Sequence, residues 1–171
     1  MDESEEIGTP NGAYEKRNLT SYKGNNLPTS KVKVFILNSY FDSLDEHEFT
    51  DQEEYKVTEF VVHINQNGFA NLPGRNKQSN DPNTNHERYM ELAQFAIQYK
   101  LHHYHIGVEE YEGQHGDKTS EFVVHYSFDH AENCASIISV SPHYPYFKLP
   151  TVDQINSGVS DVFDIEDTPD K

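Results

Sequence analysis

Cysteine occurs once in the 171 residues, at Cys134, so the chain can form no internal disulfide and has no cysteine-built zinc pattern. No run of about 18 apolar residues occurs, which excludes a spanning helix of the usual length. Met1-Asp2-Glu3-Ser4-Glu5-Glu6 is acidic where a signal peptide is basic and then apolar. The expectation is a cytoplasmic protein with no membrane partner.

Basic residues are also scarce. Lys and Arg number 13 against 29 Asp and Glu, giving a formal charge of −16. The deficit runs through the whole chain, at −2 for residues 1–30, −9 for residues 31–150 and −5 for residues 151–171. Nucleic-acid binding needs clustered Lys and Arg to neutralise phosphates, so any such site must be a local basic patch. Apolar residues are sparse too, at 35% with a mean hydropathy of −0.82. The length suits one domain, and this low apolar content predicts unpacked ends. Residues 1–30 read as a flexible tail, 31–150 as a single domain and 151–171 as an acidic tail.

Within that domain, Val32-Lys33-Val34-Phe35-Ile36-Leu37 reads as a buried strand. Thr50-Asp51-Gln52-Glu53 has the capping-box form, and Val57, Phe60, Val61 and Ile64 follow at helical spacing before Asn67-Gly68. The spacing predicts a helix over about 51–66. Residues 68–83 are polar, with Pro73-Gly74 and Asp81-Pro82, and read as a long loop. Thr84 and Glu87 form a second capping pair ahead of an apolar segment from Met90 to Ile97. Three strands follow, near 99–106, 120–128 and 135–140, with links short enough for an antiparallel meander. After Pro142-His143-Tyr144-Pro145, Phe147 and Leu149 are expected to tuck back on the sheet. The fold class is therefore α+β, with an N-terminal strand and two helices packed on an antiparallel sheet.

Chemistry concentrates in Leu101-His102-His103-Tyr104-His105. On a strand, His103 and His105 share one face and His102 takes the other. Paired imidazoles serve metal binding and acid–base catalysis alike, and they also occur as packing on half-exposed sheets. Extended by Glu109 and Gly116, the pattern resembles part of the first metal-binding motif of the cupins. The glycine expected six residues before His103 is Ile97, and the second cupin motif is missing. Cys134 has no evident activating partner, and there is no nucleophile elbow or phosphate loop.

Cleavage of RNA through the ribose 2′-hydroxyl is the other chemistry the residues allow. It needs a base, an acid and donors for the phosphate charge. His103, His105, His125 and His143 are candidates for the first two, with Tyr126 as orienter and Arg75, Lys100 and Lys118 as phosphate donors.

Several short strings in a common order carry a family resemblance. They are the Val-Lys-Val-Phe strand, Asn67-Gly68 followed by Gly74-Arg75, Leu101 to Ile106, Lys118-Thr119-Ser120 leading into Val123-Val124-His125-Tyr126, and Pro142-His143. From about Val32 to Pro150 the chain resembles the YafO-like toxins of type II toxin–antitoxin systems, relatives of the RelE toxins. The resemblance implies a small RelE-like α+β fold and a ribosome-dependent mRNA endonuclease, or mRNA interferase, restrained by a cognate antitoxin protein. It makes His103, His105 and His143 catalytic candidates, and Thr119 and Ser120 RNA-binding ones. The expected enzyme is a metal-independent hydrolase without cofactor, whose partners are the ribosome and mRNA. The alternative is a non-enzymatic acidic protein, for example of phage origin, that engages a basic or ribosomal partner.

Overall fold

The computed structural model describes residues 27–80, 87–108, 110–144 and 147–164. One mixed sheet organises them. Six strands, β1 (Lys33–Leu37), β2 (Asn76–Gln78), β3 (Leu101–His105), β4 (Phe122–Asp129), β5 (Cys134–Pro142) and β6 (Val159–Phe163), lie in the order β2-β3-β4-β5-β1-β6. Every neighbouring pair is antiparallel except β1 with β5. Four helices complete the fold: α1 (Asn38–Glu46), α2 (Asp51–Asn67), α3 (Tyr89–Gln98) and α4 (Val152–Ile155). The chain is thus α+β, and the β3-β4-β5 meander lies where the sequence puts it.

The main core fills one face of the sheet. Val57, Phe60, Val61 and Ile64 of α2 bury against Tyr104, Val124, Tyr126, Phe128 and Ile137. Phe60 stacks on Tyr104 with ring centroids 4.4 Å apart, and Phe69 stacks on Tyr126 at 5.5 Å. Burying such rings contributes about 1.5–3 kcal/mol each, which fixes α2 across the strands. The expected capping box is present, with the Thr50 hydroxyl accepting from Glu53 N–H and the Glu53 carboxylate accepting from Thr50 N–H.

On the opposite face, Leu37, Ala96, Leu101 and Ile138 form a second, smaller cluster with Phe95, Leu149 and Ile155 around it. A bulge makes room for it. The pairs His125↔Ser139 and Tyr126↔Ile137 skip Ile138, so Ile137 and Val140 both join the main core while Ile138 joins the second. Leu149 tucks back as expected, and Phe147 reaches the sheet beside it, at 4.7 Å from the His103 ring.

Helix α1 has no counterpart in the sequence reading. Its buried residues are Ser39, Tyr40, Ser43 and Leu44, so half of its inner face is polar and shows no apolar period. The serines replace a neighbouring strand. β1 pairs with β5 only as far as Ile137, and beyond that point Ser39 Oγ donates to the Ile138 carbonyl while Ser43 Oγ accepts from Val140 N–H. Both backbone groups would otherwise be orphaned.

Four further expectations are corrected. The segment from residue 151, read as an acidic tail, supplies α4 and β6. The turn after α4 caps α1: Ser157 Oγ accepts from Ser39 N–H and the Gly158 carbonyl from Asn38 N–H, satisfying donors that a helix start leaves open. The loop assigned to 68–83 contains β2, which lacks any apolar alternation. Glu87 precedes α3 and Arg88 sits at its N-cap, so the expected capping box does not start that helix; Thr84 lies outside the described residues. Of the N-terminal tail, residues 1–26 lie outside the described residues, while Leu27 packs on the main core and the Pro28 carbonyl accepts from Phe69 N–H.

Candidate functional site

Alternation along β3 divides its side chains. Tyr104 joins the main core and His102 stacks on Tyr126 at 5.2 Å, while Leu101 enters the second cluster. His103 and His105 share the second face, as the spacing requires. His125 pairs directly opposite His103 across the β3–β4 ladder, and directly opposed residues lie on one face. His143 follows the end of β5, its N–H donating to the Glu121 carbonyl, and its ring lies 4.7 Å from that of His105 and 5.8 Å from that of His103. Phe147 closes the group, with its ring 4.7, 5.4 and 5.3 Å from those of His103, His125 and His143.

These imidazoles come from two strands and one loop. His103, His105 and His125 are buried, and His143 is half-buried. Their backbone and hydroxyl partners hold one nitrogen of most rings. His103 Nδ1 lies 3.0 Å from Ser79 Oγ, and His125 Nε2 lies 2.7 Å from Ser141 Oγ. His105 Nδ1 is served by Ser120 in either tautomer, since Ser120 N–H donates to it at 2.9 Å or it donates to the Ser120 carbonyl at 3.0 Å. His105 Nε2, His125 Nδ1 and His143 Nδ1 are buried without a hydrogen-bond partner among the described residues.

Burial keeps the group neutral. Loss of hydration pushes His103 down to about 2, helped by the like charges that His125, His105 and His143 would carry. Desolvation takes His125 to about 3, with His143 adding to it, and His105 to about 4, against a hydrogen bond to Ser120 that works the other way. His143 is lowered as well, by desolvation first and then by Arg75 and Lys77. A general acid must carry its proton at the working pH. The three buried imidazoles do not, which leaves them as acceptors or ligands.

The strand missed in the sequence is the other half of the site. β2 pairs antiparallel with β3, setting Lys77 opposite His103 and Asn76 opposite Tyr104. Around it Arg75, Lys77 and Ser79 alternate with Asn76 and Gln78. Ser79 bonds His103, and the positive charges of Arg75 and Lys77 both act on His143. Asn76 goes to the far side, where its Oδ1 accepts from the Tyr126 hydroxyl. The alternation that marks a strand is therefore present, written in polar residues.

The remaining candidates divide. Arg75 lies beside the histidines and forms a two-pronged ion pair with Asp117 at 2.6 and 3.1 Å. Lys118 is its neighbour, its carbonyl accepting from Arg75 N–H and its ammonium lying over the Tyr111 ring. Thr119 is tied by its backbone to Glu112. The Ser120 hydroxyl is used internally, accepting from Gly107 N–H and donating to the Phe122 carbonyl, so it is not free to hold RNA. Tyr126 lies wholly in the main core and cannot orient the histidines of the other face. Lys100 sits at the opposite end of β3 from His105, about 16 Å away at strand rise, in an ion pair with Asp129. Lys100 and Lys118 hence form no common patch. Cys134 begins β5 beside Lys33, far from the histidines in the ladder.

A cleft of about 570 Å³ adjoins the site, with His125, Ser139 and Ser141 on one wall and His47, Tyr144 and Lys148 among the others. The open, two-edged sheet is not a jelly roll, and Glu109 lies outside the described residues, so the cupin-like motif has no supporting fold.

Fold and site together define an α+β protein with a mixed sheet and a buried histidine cluster at one end of it. Among the described residues no helix is long and apolar enough to cross a membrane. Comparison with family models, with curated proteins and with solved structures gives no match.

Proposed function

We propose that the protein cleaves RNA, binding the phosphate through Arg75 and Lys77 and breaking the phosphodiester at the cluster of His103, His105, His125 and His143. One observation carries this reading: Lys77 of β2 and Arg75 just before it, the latter paired with Asp117, bring two cations beside the imidazoles, where both act on His143. In a chain of net charge −16, a pair of cations beside a buried histidine cluster is the kind of local patch that an anionic substrate requires. All of these residues except Lys77 lie in the strings that carry the resemblance to YafO-like toxins. On this reading the protein acts in the cytoplasm on mRNA at the ribosome, and a cognate antitoxin holds it inactive.

Expression in growing bacteria tests it. The wild-type chain should arrest growth and fragment mRNA, and Arg75→Ala/Lys77→Ala should weaken cleavage about tenfold or more, with a shallower salt dependence. A His103→Ala/His105→Ala variant should be harmless. Equal growth and intact mRNA in wild-type and double-variant cultures would refute the reading. Capture of a basic or ribosomal partner by a wild type that spares RNA would favour the non-enzymatic acidic protein instead.

A further inference from the structure

We propose that His103, His105 and His143 bind one divalent transition-metal ion of the zinc class, with a coordination position left open to solvent or substrate. Each of the three offers a ring nitrogen, and these atoms lie within 4.8 Å of one another. Ligands at about 2.1 Å in a tetrahedral shell stand about 3.4 Å apart, so small ring movements close the set. His143 belongs to a loop rather than to the ladder, which lets it make that movement.

The nitrogens left without partners are the second, independent observation. Among the described residues, His105 Nε2 and His143 Nδ1 are buried and unbonded. A buried polar atom without a partner costs about 1–3 kcal/mol, and both atoms belong to rings of the convergent set, where a shared ion would satisfy them. The outer contacts suit a metal. The Ser120 carbonyl is placed to accept from His105 Nδ1–H, and Ser79 Oγ from His103 Nδ1–H, which leaves Nε2 of each ring as the ligating lone pair. Fixing the tautomer of a ligating histidine in this way is the usual task of such partners.

Donor chemistry sets the class of ion. Three imidazoles without a carboxylate suit Zn²⁺, and Co²⁺ or Ni²⁺ as its stand-ins, over Mg²⁺ or Ca²⁺, which take oxygen ligands. Asp117, whose charge acts on His105, is exposed and held by Arg75. A site with three protein ligands and an open position is the pattern of catalytic rather than structural zinc. The ion's part in cleavage rests on the ribonuclease reading above, where it would polarise a phosphate oxygen held near Arg75 and Lys77; its binding does not rest on that reading.

Titration of the metal-free chain with Co²⁺ and Zn²⁺ decides the matter, read by calorimetry and by the visible absorption of four- or five-coordinate cobalt. The expected result is one tight site, weakened at least 100-fold by His143→Ala and about 10- to 100-fold by Ser79→Ala. A His115→Ala/His130→Ala variant, lacking two exposed histidines outside the cluster, should keep it. Because His143 is only half-buried, its replacement should leave the circular dichroism of the fold intact, and His143→Cys should restore cobalt binding with a thiolate charge-transfer band. Weak binding of several ions, or binding unchanged in His143→Ala, would overturn the proposal. A tight site in a chain that leaves RNA intact would uphold the metal site and refute the ribonuclease, whereas cleavage by a chain that binds no ion would do the reverse.

Discussion

Acid should unfold this protein steeply, and well above the range in which carboxylates titrate. His102, His103, His105 and His125 are held neutral by burial, at about 4, 2, 4 and 3. In the unfolded chain each returns to about 6.5. Between pH 6.5 and about 4 the unfolded chain therefore binds protons that the folded chain refuses, and stability must fall as pH falls through that window. Working the linkage from pH 7 to pH 5 gives a loss of about 2 kcal/mol per histidine, or about 7–8 kcal/mol for the set. The slope near pH 5.5 corresponds to about 3.5 protons, or about 5 kcal/mol per pH unit. Native domains commonly have only about 5–15 kcal/mol in all, so the fold should be close to its limit at pH 5.

Urea unfolding at pH 7.0, 6.0, 5.5 and 5.0, with a chelator present to keep metal out of the linkage, measures this directly. The depressed carboxylates are Asp117, exposed and held by Arg75, and Asp129, partly exposed and held by Lys100, and they act in the same direction. Their window opens only below about pH 5, under the range measured. His102 faces away from the other three, so His102→Gln should remove about one proton from the slope without disturbing the cluster. An uptake of less than one proton between pH 5 and 6 would refute the picture of neutral buried imidazoles.

Two stability predictions follow from backbone groups rather than charge. Ser43→Ala removes the acceptor of Val140 N–H at a point where β5 has β4 on one side but no strand on its β1 side, and should cost about 1–3 kcal/mol in chemical denaturation. Ser43→Cys, with a weaker acceptor of similar size, should lose less. At Gly74 an added Cβ would meet the Tyr111 hydroxyl, the His105 carbonyl and the Tyr104 ring. Gly74→Ala should accordingly destabilise the chain by about 1–3 kcal/mol and, by displacing β2 from β3, weaken RNA cleavage.

Legibility in the sequence tracked apolar periodicity. Helix α2 could be read because Thr50 and Glu53 cap it and Val57, Phe60, Val61 and Ile64 repeat at its pitch. The β3-β4-β5 meander could be read because Val124, Tyr126 and Phe128 alternate with His125. Helix α1 could not, since two of its inward residues are serines whose role is to bond the edge of β5 that β1 leaves unpaired. The C-terminal segment was likewise hidden: four of the five residues of β6 are exposed, so its place in the sheet rests on backbone pairing with β1. Neither kind of contact leaves an apolar signature.

The histidine cluster shows the same limit from the other side. His103 and His105 were legible as a pair because a two-residue spacing needs only the assumption of a strand. What surrounds them was not, because β2 and its flanks read Arg75-Asn76-Lys77-Gln78-Ser79 and look like loop. Its order follows from its neighbours. Only an edge strand can be polar on both faces, since one of its sides is open to water. Against β3 it must still place Ser79 and Lys77 toward His103 and Asn76 toward Tyr126, because a slip of one residue would exchange those faces. Asn76 is thereby a register pin: its Oδ1 is the acceptor that the buried Tyr126 hydroxyl needs, and satisfying that bond turns both cations toward the imidazoles. The functional face is thus specified by a hydrogen bond made on the opposite one.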